Sequence, residues 1–83
     1  MENKLKIFNH LKMSKIKLKK LGNKIKYYRK LHNLSQEKLA ELVSVSRNYI
    51  GMIERAEVNT PVGTIFDIAK ALNTDAKQLF DFI

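Results

Sequence analysis

The stretch from Leu34 to Glu54 constrains the fold of this chain more than any other part of it. Its apolar residues recur at intervals of three and four on either side of a break, which predicts two short helices joined by a tight turn. Ala40 is small, as required where two steeply crossing helices approach most closely. The residues expected to be buried are Leu39, Ala40 and Val43 in the first helix, Val45 at the corner, and Ile50 and Ile53 in the second.

The second of these helices would expose a surface with the chemistry of DNA recognition. Its exposed positions would be Arg47, Asn48, Gly51 and Met52. Arg and Asn side chains match the hydrogen-bonding patterns of base edges. The pattern therefore indicates a DNA-binding helix-turn-helix whose second helix enters the major groove.

Positive charge is concentrated in the N-terminal part of the 83-residue chain, whose net charge is +8. Eleven of its sixteen Lys and Arg residues lie within residues 1–30, beside a single acid, Glu2. The sequence predicts a basic N-terminal arm over residues 1–17 and one small domain over residues 18–83. Such an arm usually meets nucleic acid, although a solvated tail and attachment to a membrane surface are alternatives. Met13 is an alternative start of the chain.

Composition argues against several classes of protein. The absence of Cys removes disulfides and thiolate metal sites, and it fits a cytoplasmic location. No apolar run approaches the roughly 20 residues that span a bilayer, and no signal peptide is evident. His10 and His32 have no partners at metal-ligand spacing, and no Ser has an activating pattern around it. We therefore expect no metal, no cofactor and no enzymatic activity.

Start and stop signals in the first half of the chain delimit three helices. The first should run from Leu18 to about His32, and Asn33 tolerates the left-handed backbone that ends a helix. Ser35 and Ser46 are placed to cap the second and third helices.

Two more helices are expected in the second half. The fourth should begin at Thr60-Pro61, with Thr60 as its cap and Pro61 in its first turn, and it should end at Asn73. Thr74 should cap the fifth. The sequence thus predicts an all-α fold, a compact bundle of five helices around one core.

Together, these residues resemble the Cro/CI-type (Xre-type) helix-turn-helix regulators over about residues 21–82. The resemblance implies a lambda-repressor-like DNA-binding domain, acting as a homodimer on a palindromic operator in double-stranded DNA. The stretch Ser46–Arg55 is also similar to the controller proteins of restriction–modification systems. The segments that carry the resemblance are Ile25 with Arg29, Leu34–Ala40, Val45–Arg47, Ile50 with Ile53-Glu54, Pro61, Ile68–Leu72 and Leu79-Phe80.

The resemblance implies roles for single residues. Gln36 would contact a phosphate at the start of the second helix, where free N–H groups favour an anion. Arg47 would read a guanine, Asn48 an adenine, and Met52 would touch a thymine methyl. The other residues assigned to the DNA surface are Ser46, Tyr49, Arg55, Lys19 and Lys20.

Other positions match or depart from the family pattern. Arg29 and Glu54 match a structural ion pair between the first and third helices. Ser44 and Ala56 stand where the family usually has Gly, and a left-handed backbone there costs roughly 1 kcal/mol without Gly. We therefore expect the local turn geometry to differ.

The loop over residues 57–60 lacks the basic residue that many family members use to reach the DNA backbone. Our hypothesis is that the Lys15–Lys20 cluster supplies this charge and reaches DNA as homeodomain arms do.

The chain ends in an apolar cluster with two interpretations. It closes the core of its own chain, or it forms half of a dimer interface, since such large groups are hard to bury in a small domain. We expect Leu79 and Phe80 to point inward and Phe82 and Ile83 toward a partner, and we assign Leu79, Phe82 and Ile83 to the interface.

The sequence as a whole predicts a transcription regulator, a repressor or autoregulator, that binds an operator as a homodimer. The alternative is an antitoxin-like module that neutralises a protein partner and binds DNA only for autoregulation.

Overall fold

Five helices form the part of the chain that the computed structural model describes, residues 14–82. No strand occurs in this range, so the predicted all-α, five-helix fold is confirmed. Residues 1–13, with Met13 and most of the predicted arm, lie outside the described range, as does Ile83. The helices are α1 (Lys15–Leu31), α2 (Gln36–Val43), α3 (Arg47–Glu54), α4 (Val62–Ala71) and α5 (Ala76–Leu79).

Helix α1 begins at Lys15, three residues before the Leu18 expected from the apolar spacing. Ser14 caps it, because its side chain accepts a hydrogen bond from the backbone N–H of Lys17 at 3.3 Å. The Lys15–Lys20 cluster is therefore helical and part of α1, and the hypothesis that it reaches DNA stays a prediction.

Serine caps begin α2 and α3 as predicted. The Ser35 hydroxyl accepts from the N–H of Lys38 at 2.9 Å, and the Ser46 hydroxyl accepts from the N–H of Tyr49 at 3.0 Å. Each bond satisfies one of the N–H groups that a helix leaves unpaired in its first turn. The start of the helix-turn-helix is thus set by local side chains.

The caps predicted for α4 and α5 are wrong by one residue. Helix α4 is preceded by Pro61, whose ψ of 144° is extended, while Thr60 is buried in the loop before it. Helix α5 is preceded by Asp75 rather than Thr74. Neither helix has a side-chain cap bond, so both starts depend on packing more than on local hydrogen bonds.

The first four helices all end on a left-handed residue, and none of these is Gly. The φ angles are 57° at Asn33, 58° at Ser44, 60° at Ala56 and 53° at Asn73. In each case the next residue donates its N–H to a carbonyl five positions back, which closes the helix end. Both Asn predictions are confirmed. The expectation of a different geometry without Gly is wrong, because Ser44 and Ala56 adopt the left-handed backbone themselves.

The core lies between α3 and its neighbours α1 and α2, and it continues through α4 to α5. Ala40 is 3% exposed, as expected for a close crossing of α2 and α3. The fully buried residues of the core are Leu21, Ile25, Leu39, Ile50, Ile65, Ile68, Leu72 and Leu79.

Gly22 sets the distance between α1 and the end of α3. A Cβ atom at this position would lie 2.6 Å from the carbonyl oxygen of Glu54 and 2.8 Å from that of Ile53. Backbone atoms cannot yield as a flexible side chain does. Gly22 is therefore required for close packing, a role that its position within a helical pattern does not reveal.

Candidate nucleic-acid interface

Helix α3 presents one face to solvent. Arg47 and Asn48 are exposed in its first turn, and Met52 is partly exposed one turn later. At 3.6 residues per turn, these residues fall with Gly51 and Arg55 within an arc of about 140°. The structure thus brings the predicted base-contacting residues together on a single surface.

Asn48 is oriented by its neighbour on that surface. Its Nδ2 donates a weak hydrogen bond to the Met52 sulfur at 3.6 Å. The amide oxygen and the second N–H group of Asn48 are the pair of atoms with which an Asn side chain recognises adenine. Ser46 is exposed and Tyr49 is half-buried beside this surface.

The C-terminal end of α3 is anchored by the Arg29–Glu54 ion pair, as the resemblance implied. Arg29 donates from Nε to one carboxylate oxygen of Glu54 at 2.6 Å and from Nη2 to the other at 3.1 Å. Arg29 Nη1 also donates to the Leu34 carbonyl at 2.8 Å. The two charged side chains are 9% and 3% exposed, so this is a buried, two-pronged pair.

Gln36 joins the same buried pair from α2. Its Nε2 donates to Glu54 Oε1 at 3.0 Å, and since a carboxylate only accepts, the amide nitrogen must be the atom facing Glu54. Its oxygen and one N–H group take no part in this bond. The phosphate contact assigned to Gln36 stays a prediction, but its side chain is held at the start of α2, where such a contact would occur.

Gly51 is buried, although the sequence predicted it to be exposed. The cover is the guanidinium of Arg55: a Cβ atom at position 51 would lie 2.9 Å from Arg55 Nη1 and 3.6 Å from Cζ. A four-residue separation places both positions on the same side of the helix, and the missing side chain leaves room for the guanidinium.

Arg55 is exposed at the end of α3 and pairs with Glu57 in the following loop. Its Nε donates to Glu57 Oε2 at 2.9 Å and its Nη2 to Oε1 at 3.2 Å. The hydrogen bond from Arg55 holds the pKa of the Glu57 carboxyl below its usual range, and the same bond raises the pKa of Arg55. Sequence reasoning assigned Arg55 to the DNA surface but missed Glu57.

The start of α1 lies beside the end of α3. Lys15 Nζ donates to the carbonyl oxygen of Ala56 at 2.5 Å, where a cation is favoured by the carbonyl groups at a helix end. Lys19 lies one turn after Lys15 on the same side of α1. Lys20 lies on another side, in a groove with Phe82. Of the two predicted lysines, Lys19 is thus the one on the α3 side.

The residues assigned to a dimer interface are only partly described, because Ile83 lies outside the described range. Leu79 has no exposed surface and belongs to the core of its own chain, as its predicted inward position requires, so its second assignment to a dimer interface is wrong for the folded chain. Phe82 is partly buried against α1, with its ring 6.3 Å from that of Phe80. The exposed apolar residues Val62 and Phe66, on α4, are 64% and 59% exposed.

Two findings concern other kinds of site. Between residues 14 and 82, no three His, Asp or Glu residues converge in a way that could hold a metal ion. In the same range, no helix combines the length and apolar character needed to cross a membrane.

A capped, exposed α3 that follows a tight turn after α2 and is anchored by a buried ion pair defines a helix-turn-helix domain of the DNA-binding transcription regulator class. A family model described as Helix-turn-helix (HTH_3) matches residues 25–79, and the chain belongs to this family. The predicted resemblance is confirmed.

The chain is also similar to individual proteins. The chain is 46% identical over 59 residues to the control protein C.SmaI of Serratia marcescens, covering 71% of this chain and 70% of that protein. Its structure is similar to that of the restriction–modification controller protein C.AhdI of Aeromonas hydrophila, with a TM-score of 0.74 and 36% identity, covering 76% and 96% of the two chains. It is also similar to the biofilm regulator SinR, solved in complex with DNA, with a TM-score of 0.68 and 31% identity over 74% and 98%.

Proposed function

We propose that this helix-turn-helix transcription regulator binds a palindromic operator in double-stranded DNA as a homodimer and acts as a repressor or autoregulator. It does so without catalysis and without a cofactor, and it acts in the cytoplasm. The observation that carries the proposal is how α3 is held and exposed. Its last residue is fixed by the buried Arg29–Glu54 pair, and its first turn presents Arg47 and Asn48 to solvent.

Sequence would be read by the first turn of α3. Arg47 is long enough to place two N–H groups on the O6 and N7 atoms of a guanine, and Asn48 matches the N6 and N7 atoms of an adenine. Met52 adds an apolar contact beside them. Because α3 is anchored at its C-terminal end by the buried ion pair, these side chains enter the groove from a fixed helix.

Backbone contacts would position the domain. Gln36 and the N-terminal N–H groups of α2, an eight-residue helix, offer donors to a phosphate. Ser46, Tyr49 and Lys19 are further candidates for backbone contacts, and Ser46 and Lys19 are exposed. Contacts of this kind set register and orientation on the duplex, while the α3 side chains specify sequence.

The relatives support this proposal through what their names state. C.SmaI is a control protein, C.AhdI is a restriction–modification controller protein, and SinR was solved bound to DNA. Control or regulation, and in one case binding to DNA, is what these names state, and both agree with the surface described above.

A homodimer would place two copies of α3 on successive turns of one DNA face. The exposed apolar pair Val62 and Phe66, one turn apart on α4, supports an interface there, because apolar groups that folding leaves open are the usual material of one. Sedimentation velocity would test this with Phe66→Glu, expected to shift the chain toward monomer. Leu31→Glu, a change at a residue 58% exposed on α1, is the matched control. If Phe82→Glu disrupts the dimer and Phe66→Glu does not, the interface lies at the C-terminal residues and not on α4.

The decisive experiment selects duplexes from a randomised pool and compares the selected duplex with a shuffled one by fluorescence anisotropy across a salt series. We expect a preference of about a thousandfold. Arg47→Ala or Asn48→Ala should cost about 1–3 kcal/mol on the selected duplex. Lys77→Ala and Asn23→Ala, exposed residues on α5 and α1, should change nothing.

Equal binding to both duplexes that disappears with salt would reject the proposal, because only the sequence-independent charge attraction would then be at work. Co-purification of a second small protein would in that case favour the antitoxin-like alternative.

A further inference from the structure

The Arg55 side chain is held on two sides by its own chain. Glu57 occupies the inner edge of the guanidinium, through Nε at 2.9 Å and Nη2 at 3.2 Å. Gly51 lies beside the guanidinium at its Nη1–Nη2 edge, where a Cβ atom would stand 2.9 Å from Nη1 and 3.6 Å from Nη2, so the missing side chain leaves that edge open. We call Gly51 and Glu57 together the Arg55 seat.

This seat leaves one edge of the guanidinium available. A guanidinium carries five N–H groups, and Glu57 accepts one from Nε and one from Nη2. Within residues 14–82, Nη1 makes no hydrogen bond. The outer edge, formed by Nη1 and the second N–H of Nη2, has the spacing that recognises two acceptor atoms at once.

Arg55 lies on the surface that faces DNA in the proposed function. By helical rotation, Arg55 is on the same arc of α3 as Arg47 and Asn48. An Arg side chain with no support would lose considerable rotamer freedom on binding, and prior ordering removes part of that loss. Here the ordering is already present in the folded chain.

We propose that Gly51 and Glu57 are positioning residues that hold Arg55 across α3, so that its outer edge binds a pair of acceptor atoms on DNA. The inference rests on the proposed function and deepens it. The acceptors are either the O6 and N7 atoms of a guanine or two oxygens of a phosphate, since both match the same edge.

The sign of one substitution tests the seat. Glu57→Gln removes a negative charge, so the charge attraction alone would strengthen binding to DNA. The seat predicts the opposite, a loss of about three- to tenfold on the selected duplex, as expected for freeing one long side chain. Glu41→Gln is the matched control, because Glu41 forms an exposed pair with Lys38 at 3.9 Å and the change in charge is the same. It should leave binding unchanged or slightly tighter.

A second substitution separates position from charge. Gly51→Ala should displace the guanidinium and weaken binding by a similar factor, while thermal stability stays equal or rises because Ala favours a helix over Gly. Its effect should vanish in an Arg55→Ala background. A persisting loss there would mean that the added methyl meets the DNA directly, and it would overturn the seat, as would tighter binding by Glu57→Gln.

Comparing the selected and shuffled duplexes distinguishes a guanine from a phosphate as the acceptor. It also separates failure of the proposed function from failure of the Arg55 seat. If Arg55→Ala weakens the selected and shuffled duplexes equally, the acceptor is a phosphate, and if it weakens only the selected one, the acceptor is a base. A wild-type chain that prefers no duplex defeats the proposed function itself. A selective wild type whose Gly51→Ala variant binds equally well defeats only the seat.

Discussion

Glu54 and Arg55 are consecutive residues at the end of α3, and each forms a two-pronged Arg–Glu pair on its own side of the helix. The shortest contacts are alike, 2.6 Å inside and 2.9 Å outside. Their surroundings differ, because the inner side chains are 9% and 3% exposed and the outer ones 55% and 47%. One chemistry therefore serves two purposes. The buried pair fixes the helix to its neighbours, and the solvated pair arranges a side chain that stays available.

The inner pair should dominate stability. Arg29→Leu leaves the Glu54 carboxylate buried without its counter-charge, and we expect a loss of about 3–5 kcal/mol in the free energy of unfolding. Urea denaturation would measure it. The double variant Arg29→Leu with Glu54→Leu should recover most of the loss, because no lone charge is then buried. If Arg29→Leu alone is as stable as the wild type, the buried pair contributes no more to stability than the exposed pair.

Gly22 contributes to the packing around the buried pair, since it allows α1 to reach the backbone of Glu54. Gly22→Ala should cost about 1–3 kcal/mol through overpacking, even though Ala is the better helix former. Gly63→Ala in α4 is the control, because no atom lies within 4 Å of its added methyl. That change should be neutral or stabilising by thermal denaturation. Equal behaviour of the two variants would contradict the close approach.

The turn before α3 contains a residue with a left-handed backbone. Ser44 is exposed with a φ of 58°, so Ser44→Gly should relieve strain and stabilise the domain by up to about 1 kcal/mol. Asn73→Gly should give a smaller gain, since Asn tolerates this conformation better. Thermal unfolding of both variants measures the difference, and a destabilised Ser44→Gly would show that the side chain itself holds the turn.

The outer pair should matter least for folding. Glu57→Gln should leave the unfolding midpoint unchanged between pH 6 and pH 8, because exposed pairs contribute little. The pKa of Glu57 is lowered in the folded chain, so any contribution of the pair is present above the unfolded pKa and is lost only as pH falls through the folded one. A clear loss of stability near neutral pH would mean that the outer pair is also scaffold.

What the sequence could predict was local. Ser35 and Ser46 as caps and Asn33 and Asn73 as helix stops follow from residues within a few positions of each other, and all four are confirmed. Apolar spacing likewise predicts most of the buried residues of the helix-turn-helix, although Val43 and Val45 are only partly buried. The Arg29–Glu54 pair, 25 residues apart, came from a family resemblance, since no periodicity brings those two charges together.

What the sequence could not predict depends on distances across the fold. Gly22 reads as a weak spot in a helix until the carbonyls of α3 are known to lie against it. Gly51 was expected to be exposed, because the four-residue spacing puts Arg55 on the same side of α3 but does not show that its guanidinium covers Gly51. Leu79 was expected to point inward and was also assigned to a partner, and only the inward position is confirmed.

The Glu54 carboxylate has a consequence for how the domain opens. It accepts hydrogen bonds from Arg29 on α1 and Gln36 on α2 while belonging to α3. Moving any one of these helices away leaves polar groups of the others unpaired in the interior. The three helices should therefore behave as one cooperative unit in native-state hydrogen exchange, with α5, a single turn without a side-chain cap, opening at lower free energy.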